Sequence, residues 1–221
     1  MQYYWYKGNW TDTVGNIGDM ITPHILKHIT GITPARCDRT ISGKLLSCGS
    51  VIEFLEDNDV VWGAGLIKPM PLERKANVTF LMVRGPETRK ALMRAGYEVP
   101  EVYGDPCEVL PEIWKGHHNK KHKLGIIPHY VDYDMAVELF PDKKIIKIIN
   151  TPENFINEIC ECEEIWSSSL HGLIIPEVYG IPVKRMLLSD KVIGGGFKFN
   201  DYRVGESNVK SLLSDYLRIK K

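Results

Sequence analysis

Four short segments of this 221-residue sequence hold the residue types that can do chemistry. In Gly15-Asn16-Ile17-Gly18-Asp19, two glycines precede the start of a helical period. They permit a tight turn and close approach of a ligand, and the helix start beyond offers backbone N–H groups. The same residues also make a plain turn with Asp19 as helix cap. Either reading singles out Asn16, Gly18 and Asp19. In Trp62-Gly63-Ala64-Gly65, Gly63 and Gly65 close an apolar run and either line a pocket or turn the chain. The pattern is not the G-x-G-x-x-G of dinucleotide binding. In Val83-Arg84-Gly85-Pro86, Arg84 stands where a strand gives way to a helix start. There its guanidinium and nearby N–H groups can hold a phosphate or carboxylate; the alternative is an ion pair with an acidic residue of the chain. In Ser167-Ser168-Ser169-Leu170-His171, a polar cluster separates apolar runs. A helix start lowers histidine basicity and a bound dianion raises it, so His171 is tunable for proton transfer. The alternative is a packed, hydrogen-bonded His171 with Ser168 and Ser169 as caps.

Two other histidine groups differ in quality. His129, in Pro128-His129-Tyr130, ends a strand with Asp132 close by and reads as a ligand-binding histidine. His117, His118 and His122 sit among lysines and lack the acidic surroundings of a dedicated metal site. Of the five cysteines, Cys160 and Cys162 lie close together without a second pair or a well-spaced histidine, which argues against zinc. An odd count without C-x-x-C reads as reduced thiols in the cytoplasm.

The elements that must position these residues alternate. Strands are expected at 2–6, 44–48, 60–62, 77–83, 123–127, 144–149, 164–166 and 183–187. Helices are expected at 19–29, 87–95, 134–140, 152–160, 170–179 and 206–219. Strand–helix alternation predicts an α/β fold with parallel sheets covered on both faces. The polar stretch 114–122 (WKGHHNKKH) marks a boundary, giving an N-terminal α/β lobe at 1–113, a linker at 114–122 and a C-terminal α/β lobe at 123–221, with the last helix free to cross back. Ligands of open α/β sheets bind beyond the carboxyl ends of strands, where the four segments lie. Gly194-Gly195-Gly196 form a mobile hinge that either swings Lys198, Asp201 and Tyr202 over the site or belongs to a plain surface loop.

Composition closes off other classes. The chain is 43% hydrophobic and 25% charged, with Lys+Arg and Asp+Glu at 28 each. A formal net charge of zero gives no field to recruit nucleic acid or an anionic membrane. No apolar run approaches the roughly 20 residues that span a bilayer, and no secretory leader pattern opens the chain. The expectation is a cytoplasmic protein without a transmembrane segment.

Taken in order, the segments resemble the polysaccharide pyruvyl transferase family. The match runs through the Tyr-Trp-Tyr strand with G-N-I-G-D, then S-V-I at 50–52 and D-V-V-W-G-A-G at 59–65. It continues through V-R-G-P-E-T-R at 83–89, Y-G-D-P at 103–106, I-P-H-Y at 127–130 and S-S-L-H-G at 168–172. Y-G-I-P at 179–182 and K-F-N-D-Y at 198–202 complete it. Asn16-Ile17-Gly18 departs from the more usual Asn-Phe-Gly. The resemblance implies two Rossmann-like parallel-sheet lobes, similar to a compact GT-B glycosyltransferase. It implies phosphoenolpyruvate as donor, a sugar or glycan acceptor, free or lipid-linked at the membrane surface, and no metal or redox cofactor. By resemblance His171 is the general acid and phosphate contact, Arg84 the main anion clamp. Asn16, Gly18, Asp19, Gly63, Gly65, His129, Ser168, Ser169, Lys198 and Tyr202 are the expected substrate-binding residues. The rival expectation is a nucleotide-sugar glycosyltransferase using Glu177 to hold a ribose.

Overall fold

The computed structural model describes residues 2–6, 11, 13–117, 119–202 and 209–219. His118 and the first part of the expected helix at 206–219 lie outside these. Along the chain the strands are β1 (Gln2–Tyr4), β2 (Gly15–Asn16), β3 (Ala35–Arg36), β4 (Leu45–Leu46), β5 (Val60–Trp62) and β6 (Thr79–Met82). They continue as β7 (His122–Ile127), β8 (Lys144–Ile145), β9 (Ile149–Asn150), β10 (Cys162–Ser167) and β11 (Val183–Arg185). The helices are α1 (Ile17–Met20), α2 (Thr22–Thr30), α3 (Pro86–Arg94), α4 (Leu110–Ile113) and α5 (Tyr133–Leu139). They continue as α6 (Pro152–Cys160), α7 (His171–Val178), α8 (Phe197–Asp201) and α9 (Val209–Ile219).

Contacts divide the chain into two compact units, neither continuous in sequence. Unit 1 comprises Met1–Tyr6, Thr22–Val109 and Gly194–Lys221; unit 2 comprises Lys7–Ile21 and Leu110–Ile193. The division thus departs from the linear one expected at 114–122. The polar stretch there packs along unit 2: Gly116 leaves no room for a Cβ beside Cys160 Sγ (2.5 Å), the Lys121 N–H donates to Glu161 O (2.8 Å), and His122 opens β7.

Unit 1 is built on a parallel sheet of order β3-β1-β4-β5-β6. Its central strands read as short unbroken apolar runs because both faces are covered, and Leu45, Leu46, Val61 and Trp62 are fully buried. A buried ion pair, Lys44 Nζ to Asp59 Oδ2 at 2.6 Å, links the residues entering β4 and β5. Unit 2 is built on a second parallel sheet, order β11-β10-β7-β8, with β10 paired to β7 from Cys162↔His122 to Ser167↔Ile127. Ile126, Ile127, Ile165, Phe155, Ile159 and Ile174 form its core. The α/β architecture with two parallel sheets is the expected one.

Two local departures have clear causes. The helix expected at 19–29 is broken into α1 and α2 at Ile21, because Pro23 has no N–H to continue the ladder. The strand expected at 144–149 is two pieces, the second of which, β9, pairs antiparallel with β2 (Gly15↔Asn150, Asn16↔Ile149). Elsewhere the caps act as their residues suggest: Thr151 accepts the Asn154 N–H at the start of α6, and Pro86 and Pro152 occupy first helical positions, where no donor is lost.

Candidate active site

In unit 2 the carboxyl end of β10 delivers Ser167, and the chain turns through Ser168–Leu170 into α7, whose first residue is His171. Ser167 Oγ braces the turn, accepting the Ser169 N–H (3.0 Å) and donating to Ile127 O (2.7 Å). Gly172 makes close packing of helix on strand possible, since a Cβ there would lie 2.2 Å from Ser167 Oγ. Ser168 Oγ accepts the His129 N–H (2.8 Å) and donates to Asp132 Oδ2 (3.4 Å). Asp132, itself buried, also receives Ser189 Oγ at Oδ1. Ser167 and Ser168 therefore tie the ends of β7 and β10 together; the N-cap of α7 is Leu170, whose side chain makes no capping hydrogen bond.

His171 is 8% exposed, and its ring lies against Gly18. A Cβ on Gly18 would stand 1.9 Å from Nδ1 and 2.4 Å from Cε1 of the imidazole, so only glycine admits the ring. The turn that presents Gly18 is held from both sides. Asn16 Oδ1 accepts the Gly18 N–H (3.2 Å), the Ile17 N–H donates to Ile148 O (3.0 Å), and β2 pairs with β9. Asp19 follows in the first turn of α1. His129 caps the turn after β7, its Nδ1 accepting the Val131 N–H (3.5 Å), with its ring 4.4 Å from that of Tyr130. Asn16, Gly18, Asp19, His129, Ser168, Ser169 and His171 are thus all parts of unit 2. Glu177, the ribose-holding residue of the rival reading, is exposed on α7.

In unit 1 the second of the two readings of Arg84 is the one observed. The guanidinium is fully buried and holds Asp201, with Nε and Nη2 at 3.1 and 3.0 Å from Oδ2. Nη1 donates to Ser50 Oγ (2.8 Å) and Nη2 also donates to Leu66 O. Asp201 is further held at the start of α3, by the Thr88 N–H (2.7 Å to Oδ1) and Thr88 Oγ1 (2.7 Å to Oδ2). Burial pulls the Arg84 pKa down, while the carboxylates of Asp201 and Asp105 pull it back up. A protein carboxylate thus stands where a donor oxygen was expected.

Gly63 and Gly65 serve the same packing. A Cβ on Gly65 would lie 2.3 Å from Arg84 Cζ, and one on Gly63, whose φ is +88°, 2.3 Å from Pro106 Cδ. Both glycines thus let a side chain approach the backbone at the end of β5. The late segment is packed too: Phe197 joins the hydrophobic core, Lys198 and Asp201 are buried in α8, and Tyr202 caps that helix. Gly85 is required here, because a Cβ would lie on Asp201 O. Sequence reading missed Ser50, Thr88 and Ser189; a threonine at the third position of α3 was the one available signal.

Comparison with known proteins gives the family that the motifs resemble, over a stretch that includes S-V-I at 50–52 to Y-G-I-P at 179–182 and leaves out G-N-I-G-D at 15–19 and K-F-N-D-Y at 198–202. The family described as polysaccharide pyruvyl transferase matches residues 44–183. The chain is also similar to "Uncharacterized protein L143" of Acanthamoeba polyphaga mimivirus, 31% identical over 165 residues, 70% of this chain and 57% of that protein. It therefore spans 57% of the length of the curated relative it matches. No solved structure matches the chain.

Proposed function

Because the chain belongs to the polysaccharide pyruvyl transferase family, we propose that it transfers the pyruvyl group of phosphoenolpyruvate to two hydroxyls of a sugar as a ketal, with His171 as the acid. The observation that carries this reading is the seating of His171, the first residue of α7, on a glycine that has no room for a side chain. An imidazole held in one orientation at a strand-to-helix junction is placed for proton transfer at a fixed atom.

The reaction balances without electron transfer. His171 gives its proton to the methylene carbon of the donor, which becomes the methyl group. One sugar hydroxyl adds to the adjacent carbon, the C–O bond to phosphate breaks, and a second hydroxyl closes the ketal. The two hydroxyl protons pass to the imidazole and to phosphate. The N-terminus of α7, whose first residue is His171, supports placing the phosphate there. In this reading Ser168, Ser169 and His129 flank that position in unit 2, Gly18 is the surface on which the ring of His171 rests, Asn16 holds the turn that presents it, and Asp19 follows in α1. Arg84, Gly63, Gly65, Lys198 and Tyr202 act in this reading through the packing of unit 1, with Arg84 positioning α3.

A GT-B-like architecture belongs to the same proposal and is supported by one all-parallel sheet in each unit. So do a cytoplasmic setting and a glycan acceptor, free or lipid-linked at the membrane surface. All five cysteines are buried thiols, and no described helix is long and apolar enough to cross a membrane.

The test is incubation with phosphoenolpyruvate and a panel of galactosides, glucosides and mannosides in deuterium oxide. The wild-type product should carry deuterium in its methyl group. His171→Gln should lower turnover by about 10²–10⁴-fold while still binding donor. An undiminished rate in that variant removes His171 as the acid; absence of any ketal product removes the proposed activity.

A further inference from the structure

We propose that Cys48, Asp105 and Cys107 form a zinc-type metal site in unit 1. The two thiols and the carboxylate offer one ligand atom each, all within 4.8 Å of one another, and no other such group occurs among the described residues. A tetrahedral ion held about 2.3 Å from each sulfur and about 2.1 Å from oxygen sets its ligands about 3.6–3.8 Å apart, so small adjustments close the site. All three residues are buried, at 1%, 0% and 0% exposure. Cys48 follows β4, while Asp105 and Cys107 lie at the turn entering the 3₁₀ segment Pro106–Val109. The Cys107 N–H donates to Asp105 Oδ1 at 2.9 Å and orients the carboxylate, as outer partners do at metal centres.

Binding forms two sulfur–metal bonds and one oxygen–metal bond, and the two thiol protons leave to solvent. No electron changes hands. Two thiolates with one carboxylate select a borderline-soft divalent ion such as zinc over magnesium or calcium. The ion would fasten the segment after β4 to the 3₁₀ segment that follows the Val83↔Tyr103 bridge. The sequence drew attention to Cys160 and Cys162 instead. Those thiols belong to unit 2 and have no third ligand near them, Cys162 Sγ lying 3.6 Å from Glu158 O.

Chelator-stripped protein is titrated with Co²⁺ and read by absorbance. The expected result is one Co²⁺ per chain with a thiolate-to-cobalt charge-transfer band, bleached by Zn²⁺, and a Tm raised by Zn²⁺. The band should persist in the Cys160→Ser/Cys162→Ser variant and vanish in Cys107→Ser. Absence of the band in the wild type overturns the proposal, as does its loss in the Cys160→Ser/Cys162→Ser variant. If Cys107→Ser does not fold, Cys48→Ser and Asp105→Asn take its place: loss of the band in either folded variant supports the site, and an unchanged band in both overturns it.

Discussion

Arg84 and His171 occupy equivalent places, each at the start of a helix after a parallel strand and each laid on a glycine, Gly65 or Gly18, that has no room for a Cβ. They differ in what meets them. Arg84 finds Asp201, Ser50 and the Leu66 carbonyl within its own unit and is sealed. Around His171 the hydrogen bonds of Ser167 and Ser168 go to Ile127 O at the end of β7 and to Asp132, and the imidazole rests on Gly18. Two junctions with the same local grammar thus divide the work: one neutralises a charge to hold a unit together, the other keeps a titratable ring in a defined place.

The sharpest way to break this comparison is at Arg84. Arg84→Ala leaves Asp201 buried without its cation and should cost about 3–5 kcal/mol of stability by urea denaturation. Arg84→Met with Asp201→Leu should return most of it, since an apolar pair replaces a buried ion pair at little net cost. A loss below about 1 kcal/mol for Arg84→Ala would show that the pair is not what holds α8 on α3.

Gly18→Ala tests the other side. Overpacking of the imidazole should cost about 1–3 kcal/mol, shift the His171 ring resonances and reduce turnover. Unchanged resonances and rate would mean that Gly18 does not position the ring. The smallest effect is expected at Ser168→Ala, about 1 kcal/mol in a thermal or urea melt, because Asp132 keeps its bond from Ser189. A much larger loss would make Ser168 the main tie between β7 and β10.

What the sequence made legible was local. Val60–Trp62 and Pro152–Cys160 fall where their apolar run and their Thr-Pro start place them, because strand burial and helix capping act within a few residues. The motif order also marked both junctions and left the choice at Arg84 open between an anion and an acidic partner. What it could not supply were complements far along the chain. Asp201 lies 117 residues from Arg84, Cys48 meets Cys107 only through the fold, and Gly15–Asn16 finds Ile149–Asn150 as a two-residue antiparallel pair too short to leave a periodic trace. The late segment had the same ambiguity: three glycines and a polar run read as a mobile loop, yet Phe197 packs half-buried against the core and Asp201 is fully buried. The unit boundaries follow from such distant contacts, which is why a polar stretch was a poor guide to them.

The discontinuity of unit 1 has a consequence for synthesis. Its last segment begins at Gly194, after every residue of unit 2 has been made. At about 5–20 residues per second, the 117 residues between Arg84 and Asp201 take roughly 6–23 s to translate. During that interval the guanidinium has no Asp201 to meet, and the pocket that will enclose it cannot close. The unit whose sheet is encoded first is therefore the one finished last, and the nascent chain must keep that unit in solution without its closing segment while the other is already whole.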